Sequence, residues 1–86
     1  MTEFGITELR GVVEACVGRH DATRLDDAAL DTEFADIGLD SLVVFELATR
    51  LQDDQHVRIS DDDLAQVRTP RNLIDLVNGK HAEPAR

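Results

Sequence analysis

The residues best placed to do chemistry lie together in the stretch Asp36-Ile37-Gly38-Leu39-Asp40-Ser41-Leu42. Asp40 suits the N-cap of a helix opening at Ser41, which puts the serine hydroxyl at an exposed junction of loop and helix. Backbone N–H groups and the positive end of the helix dipole there favour a phosphodiester by ~0.3–1 kcal/mol. Gly38 lets the preceding turn take unusual backbone angles and leaves Ser41 accessible. The same spacing has a plainer reading, in which Asp40 caps a helix and Ser41 is an ordinary first-turn residue. Ser and Asp crowd helix starts for capping reasons alone.

Other chemistries find less support. A serine hydrolase of the G-x-S-x-G type needs glycine where Val43 stands. Gly38-Leu39-Asp40-Ser41-Leu42 is superficially similar to the GDSL hydrolase signature, and Asp53-x-x-His56 to its Asp-x-x-His element. Leu39 interrupts the first, and an oxyanion hole and cleft need more chain. Asp53 and His56 read instead as a solvated helix end. His20, His56 and His81 are scattered without paired ligand spacing, so no metal site is expected. The central acids do not follow the calcium-loop pattern. Cys16 is the only cysteine, which excludes an internal disulfide and a cysteine-rich zinc site. It falls on an apolar helix face and reads as a small core residue.

Eighty-six residues make one domain with a small core and no room for a deep catalytic cleft, so no enzyme is expected. The chain carries 18 acidic and 9 basic side chains, a formal net charge of −9. Such a balance argues against nucleic acid or anionic membrane as partners and favours basic protein surfaces. From Asp21 to Asp63 there are 13 acids against Arg24, Arg50 and Arg58, so this middle stretch holds all the excess. It is either a solvated face or a docking surface for cationic partners. Met1 to Arg10 shows no secretory pattern and no stretch approaches the ~20 apolar residues of a membrane span, so a cytoplasmic monomer is expected.

The elements that must position Ser41 follow from periodicity. A first helix is predicted over Ile6 to Val17, with Ile6, Leu9, Val13, Cys16 and Val17 inward and Gly18 as its stop. His20 to Asp40 is a long connection pinned by Leu25, Leu30, Phe34, Ile37 and Leu39, with one helical turn over Thr32 to Ile37 ended by Gly38. The second helix runs from Asp40–Ser41 to about Asp53 on a Val44, Leu47, Ala48, Leu51 stripe. Val57 and Ile59 are too few for a strand. Ser60 to Asp63 opens a short third helix ending near Gln66. Thr69 caps a fourth, Pro70 takes its first position, Leu73, Ile74 and Val77 pack inward, and Gly79 ends it. Residues 81–86 are expected as a flexible tail to a domain over 1–80. The fold class is all-α: a four-helix bundle of three longer helices and one short one, with a long first loop.

At this point the sequence resembles a known family. Phe34 to Leu51, FADIGLDSLVVFELATRL, looks like the acyl carrier protein signature around its modified serine. The resemblance extends along the chain, through the long first loop to a last helix led by Thr69-Pro70. It implies a four-helix bundle of acyl-carrier type with 4′-phosphopantetheine attached to Ser41. A transferase would donate that arm from coenzyme A, and acyl chains would ride on its thiol as thioesters. Val67-Arg68-Thr69-Pro70-Arg71-Asn72-Leu73-Ile74-Asp75-Leu76-Val77-Asn78 and Cys16 resemble the stand-alone carriers of aromatic (type II) polyketide synthases. The implied partners are a phosphopantetheinyl transferase, the ketosynthase/chain-length factor, a malonyl-CoA:ACP transacylase, a ketoreductase and cyclases. A fatty-acid carrier is the alternative, although Val43, Val44 and Arg50 stand where such carriers favour acids. An unmodified acidic helical adaptor is the alternative of a different class.

The second helix has two faces. At 100° per residue, Leu47, Ala48 and Leu51 lie within ~60° of Val44, whereas Leu42 lies ~160° away, Phe45 ~100° and Glu46 ~200°. Scattered exposed apolar residues are ordinary and need no partner. The resemblance implies that the position after the modified serine meets partner enzymes. That marks Leu42, with Asp40, Phe45 and Glu46, as the partner-binding set.

Overall fold

The computed structural model describes residues 4–18 and 25–82, which hold five α-helices and, among the described residues, no strand. Helix α1 spans Ile6–Val17. The Glu8 carboxylate reaches back to accept the Gly5 N–H at 2.8 Å, satisfying a donor that the first turn leaves open. Leu9, Val12 and Val13 are its buried stripe, and Gly18, at φ 98°, ends it in a conformation that favours glycine. Val12 extends the core face beyond the predicted set. The connection from His20 begins outside the described residues; from Leu25 onward it is anchored as expected.

Leu25 is fully buried, and its carbonyl accepts the Arg10 Nε–H at 2.7 Å. A 3₁₀ turn at Asp27–Ala29 follows. The Leu30 carbonyl then takes the Arg71 N–H at 2.9 Å, and the Arg71 guanidinium pairs with Asp31 at 2.7 Å. Helix α2, Phe34–Ile37, is the single predicted turn, and Gly38 closes it at φ 96°. Its Phe34 N–H donates to the Arg68 carbonyl at 2.8 Å. These bonds tie the described part of the long loop to α1 and to the chain between Arg68 and Arg71.

Helix α3, Ser41–Gln55, is two residues longer than the periodicity indicated and ends at His56, which takes the left-handed conformation at φ 55°. Helix α4, Asp61–Ala65, starts in a reciprocal box: the Asp63 N–H donates to Ser60 Oγ at 3.0 Å and the Ser60 N–H to Asp63 Oδ2 at 3.2 Å. Helix α5, Pro70–Ala82, starts in a similar exchange between Thr69 and Asn72.

One boundary is corrected. Gly79 does not end α5, which runs to Ala82. Glycine inside a helix costs ~1 kcal/mol against alanine, an amount that tertiary contacts override. Here Lys80 Nζ reaches Asp63 at 3.0 Å and His81 Nε2 lies 3.2 Å from Gln55 Oε1, holding the last turn against α4 and α3. Of the expected tail, residues 83–86 lie outside the described residues.

The core is aliphatic, with Phe4 and Phe34 as its aromatic members and no buried polar side chain among the described residues. Helix α1 packs against α3 and α5. Leu47, Leu51, Leu73 and Val77 are fully buried at their junction with Leu9 and Val13. This packing turns the opposite side of α3 outward.

Candidate functional site

Ser41 is the first residue of α3 and is exposed. Three neighbours set its position. Leu39 is buried and anchors the approach. Gly38 turns the chain through its left-handed φ. Asp40 caps the helix, its Oδ1 accepting the Val43 N–H at 3.0 Å. The first-turn N–H groups of Ser41 and Leu42 have no intrahelical acceptor by geometry and point toward the serine end. That end is an anion-favouring terminus of a helix of 15 residues.

Beside Ser41 lies an open groove of about 640 Å³ between α2, α3 and α4. Its walls are mainly apolar, with Phe34, Leu39, Val44 and Phe45 on one side and Leu64, Ala65 and Val67 on the other. Glu33, Asp61 and Arg68 stand among its lining residues as the charged members. The groove places an exposed hydroxyl next to apolar surface. A flexible group attached at Ser41 has room to lie there.

Of the expected partner-binding residues, Leu42 and Phe45 are the two large exposed hydrophobics of the described chain, 65% and 52% accessible. Both line the groove with Ser41. Asp40 is exposed, and its carboxylate is engaged in capping. Glu46 is exposed too, but it lines a second hollow with Cys16, Phe45, Thr49, Arg50, Asp53 and Asp54. Leu42, Phe45 and Glu46 therefore divide over two hollows, with Phe45 bordering both and Asp40 lining neither.

Cys16, Asp53 and His56 do not line the groove beside Ser41. Burial raises the Cys16 thiol pKa, with Arg50 opposing and Glu46 and Asp54 adding to the rise, so at neutral pH it stays a thiol. Asp53 and His56 are exposed at the end of α3, as expected. Among the described residues no three His, Cys, Asp or Glu side chains group to hold a metal ion, and no helix is long and apolar enough to cross a membrane. Sequence reasoning missed Glu33, Leu64, Val67 and Arg68 as groove residues. Leu64, Val67 and Arg68 are distant in sequence from Ser41 and Glu33 lies ahead of α2, so only the docking of α2 and α4 beside α3 gathers them along one groove.

The chain is similar to known proteins over most of its length. Residues 12–77 match the family described as phosphopantetheine attachment site. The chain is 46% identical over 78 residues to the actinorhodin polyketide synthase acyl carrier protein of Streptomyces coelicolor, covering 91% of each. It is 39% identical over 85 residues to the granaticin polyketide synthase acyl carrier protein of Streptomyces violaceoruber, covering 99% of this chain and all of the other. Among solved structures, the actinorhodin holo acyl carrier protein from S. coelicolor superposes with a TM-score of 0.82 at 43% identity, covering 98% of both chains. The oxytetracycline acyl carrier protein superposes equally well, at 0.82, with 29% identity over 99% of this chain and 92% of that one.

Proposed function

The chain belongs to the acyl carrier proteins of polyketide synthases, and from that premise we propose that its phosphopantetheine arm is attached at the Ser41 hydroxyl. The observation that carries this is the exposure of Ser41 at the start of α3, beside a groove that can shelter what is attached to it. Ser60, another exposed serine at a helix start, instead uses its hydroxyl to accept the Asp63 N–H.

The protein is a carrier and not a catalyst. When bound, the arm supplies a terminal thiol on which growing polyketide intermediates are held as thioesters. The chain's own residues do three things. Asp40 and Gly38 present the hydroxyl at the loop–helix junction. The helix end favours the phosphodiester by ~0.3–1 kcal/mol. The apolar groove wall offers the cargo shelter from water. Attachment would bond the Ser41 oxygen to the pantetheine-side phosphorus of coenzyme A: the phosphoanhydride bond breaks, adenosine 3′,5′-bisphosphate leaves with its electron pair, and the hydroxyl proton passes to a base of the transferase or to solvent.

The family works with synthase enzymes. For this chain the partners are a phosphopantetheinyl transferase, the ketosynthase/chain-length factor, a malonyl-CoA:ACP transacylase, a ketoreductase and cyclases, in the cytoplasm. Asp40, Leu42, Phe45 and Glu46 form the surface they meet. The acidic stretch from Asp21 to Asp63 steers their basic faces to it.

The test is incubation with coenzyme A and a phosphopantetheinyl transferase, followed by intact-protein mass spectrometry and peptide mapping. One arm, mapped to the peptide bearing Ser41, is expected. No mass gain would leave an unmodified acidic adaptor, and an arm on another serine would move the site.

A further inference from the structure

Loading Ser41 adds a negative phosphodiester to a neighbourhood that is already acidic. Glu33 and Asp61 line the same groove, and Asp40 precedes the serine. Like charges this close are unfavourable unless something opposes them. Arg68 is the cation among the groove-lining residues.

Three observations set Arg68 apart. Its backbone is held on both sides: the carbonyl accepts the Phe34 N–H at 2.8 Å and the N–H donates to Asn72 Oδ1 at 3.1 Å. The base of the side chain is thereby fixed between α2 and α5. The residue is exposed on the groove that Ser41 also lines. Its guanidinium is in no ion pair or hydrogen bond with the described residues, although Glu33 and Asp61 share that groove. Arg71, by contrast, is committed to Asp31 at 2.7 Å. A planar guanidinium with five donors matches a phosphate oxygen pair better than any other side chain does.

We propose that Arg68 is the positioning residue for the phosphodiester at Ser41: its guanidinium pairs with the phosphate oxygens across the groove mouth and directs the arm along the apolar wall. The proposal rests on attachment at Ser41. It assigns Arg68 no part in bond-making.

The experiment compares apo and holo protein, with holo status established by mass before any other reading. The Arg68 side-chain Nε–H resonance shifts on loading, and the Arg71 resonance does not. In holo Arg68→Met the ³¹P resonance of the diester moves from its wild-type position and narrows as the arm gains freedom. Holo Arg68→Lys restores part of that change, and holo Arg71→Met, as a control, leaves the ³¹P line where it was. Circular dichroism checks that each variant is folded. The wild-type Arg68 shift stands as a test even if a variant fails to fold. If fully loaded wild-type protein shows no Arg68 shift, or if Arg68→Met and Arg71→Met move the ³¹P line equally, the proposal is overturned. Absence of loading on the wild type would instead sink the attachment site.

Discussion

Asn78 holds the backbone of Phe4 with both ends of its amide, accepting the Phe4 N–H at 3.0 Å and donating Nδ2–H to the Phe4 carbonyl at 2.8 Å. These residues are 74 positions apart, so the pair ties the entry to α1 onto α5. Phe4 is itself part of the core, 4% accessible. Truncating Asn78 leaves two partly buried backbone groups unpaired. Asn78→Ala is expected to cost about 1–3 kcal/mol, with loading of Ser41 unchanged. Chemical denaturation measures the first and mass spectrometry the second. A variant as stable as the parent would show that water replaces the amide without loss.

The two serines at helix starts separate function from capping. Ser41→Ala removes an exposed hydroxyl that is not the cap, so stability should change by no more than ~0.5 kcal/mol while phosphopantetheine uptake is lost. Ser60→Ala removes the acceptor of the Asp63 N–H and should cost ~0.5–2 kcal/mol while uptake persists. The reverse pattern in paired melting and mass measurements would exchange the roles of the two residues.

Leu42 and Leu47 sit on opposite faces of α3, 65% accessible and fully buried respectively. Leu47→Ala should cost ~2–5 kcal/mol through the cavity it opens. Leu42→Ala should leave the melting temperature nearly intact and slow loading or acyl transfer. Equal damage to stability from both, with transfer rates unchanged, would refute the assignment of Leu42 to partners.

Acid should loosen the contact between α4 and α5. The Lys80 hydrogen bond, aided by the Ser60 backbone N–H, holds the Asp63 carboxyl below its ordinary value of 3.8. A group whose folded pKa is lowered contributes stability that is fully present above the unfolded value. That contribution is lost as pH falls through the folded one. Unfolding midpoints from about pH 5 down to about pH 2 should therefore fall less steeply for Asp63→Asn than for the parent. Parallel curves would mean that the pair adds nothing to folding. Asp31, lowered by its hydrogen bond from Arg71, should behave alike.

If the acid excess between Asp21 and Asp63 steers basic partners, the on-rate for the transferase should drop as salt rises. The screening length shrinks from ~10 Å at 0.1 M to ~3 Å at 1 M. Stopped-flow association that is flat across this range would leave only a solvated acidic face.

The sequence by itself determined most of the helices and the exposed place of Ser41 at the start of one of them. Each rests on local physics: the Val44, Leu47, Ala48, Leu51 stripe selects one face of α3, Asp40 caps it, and Gly38 turns the chain before it. The exposure of Leu42 and Phe45 follows from the same periodicity, since residues off the core stripe of a packed helix meet solvent. Where local signals misled, distant contacts had overridden them. Gly79 looks like a helix stop, yet Lys80 and His81 bind Asp63 and Gln55 and carry α5 three residues further. The groove was not legible at all, because Glu33, Leu64, Val67 and Arg68 reach Ser41 only once α2 and α4 dock beside α3. No periodicity encodes that meeting. A helical repeat fixes which face of an element is apolar, but which neighbour covers that face is settled by how all the elements pack at once.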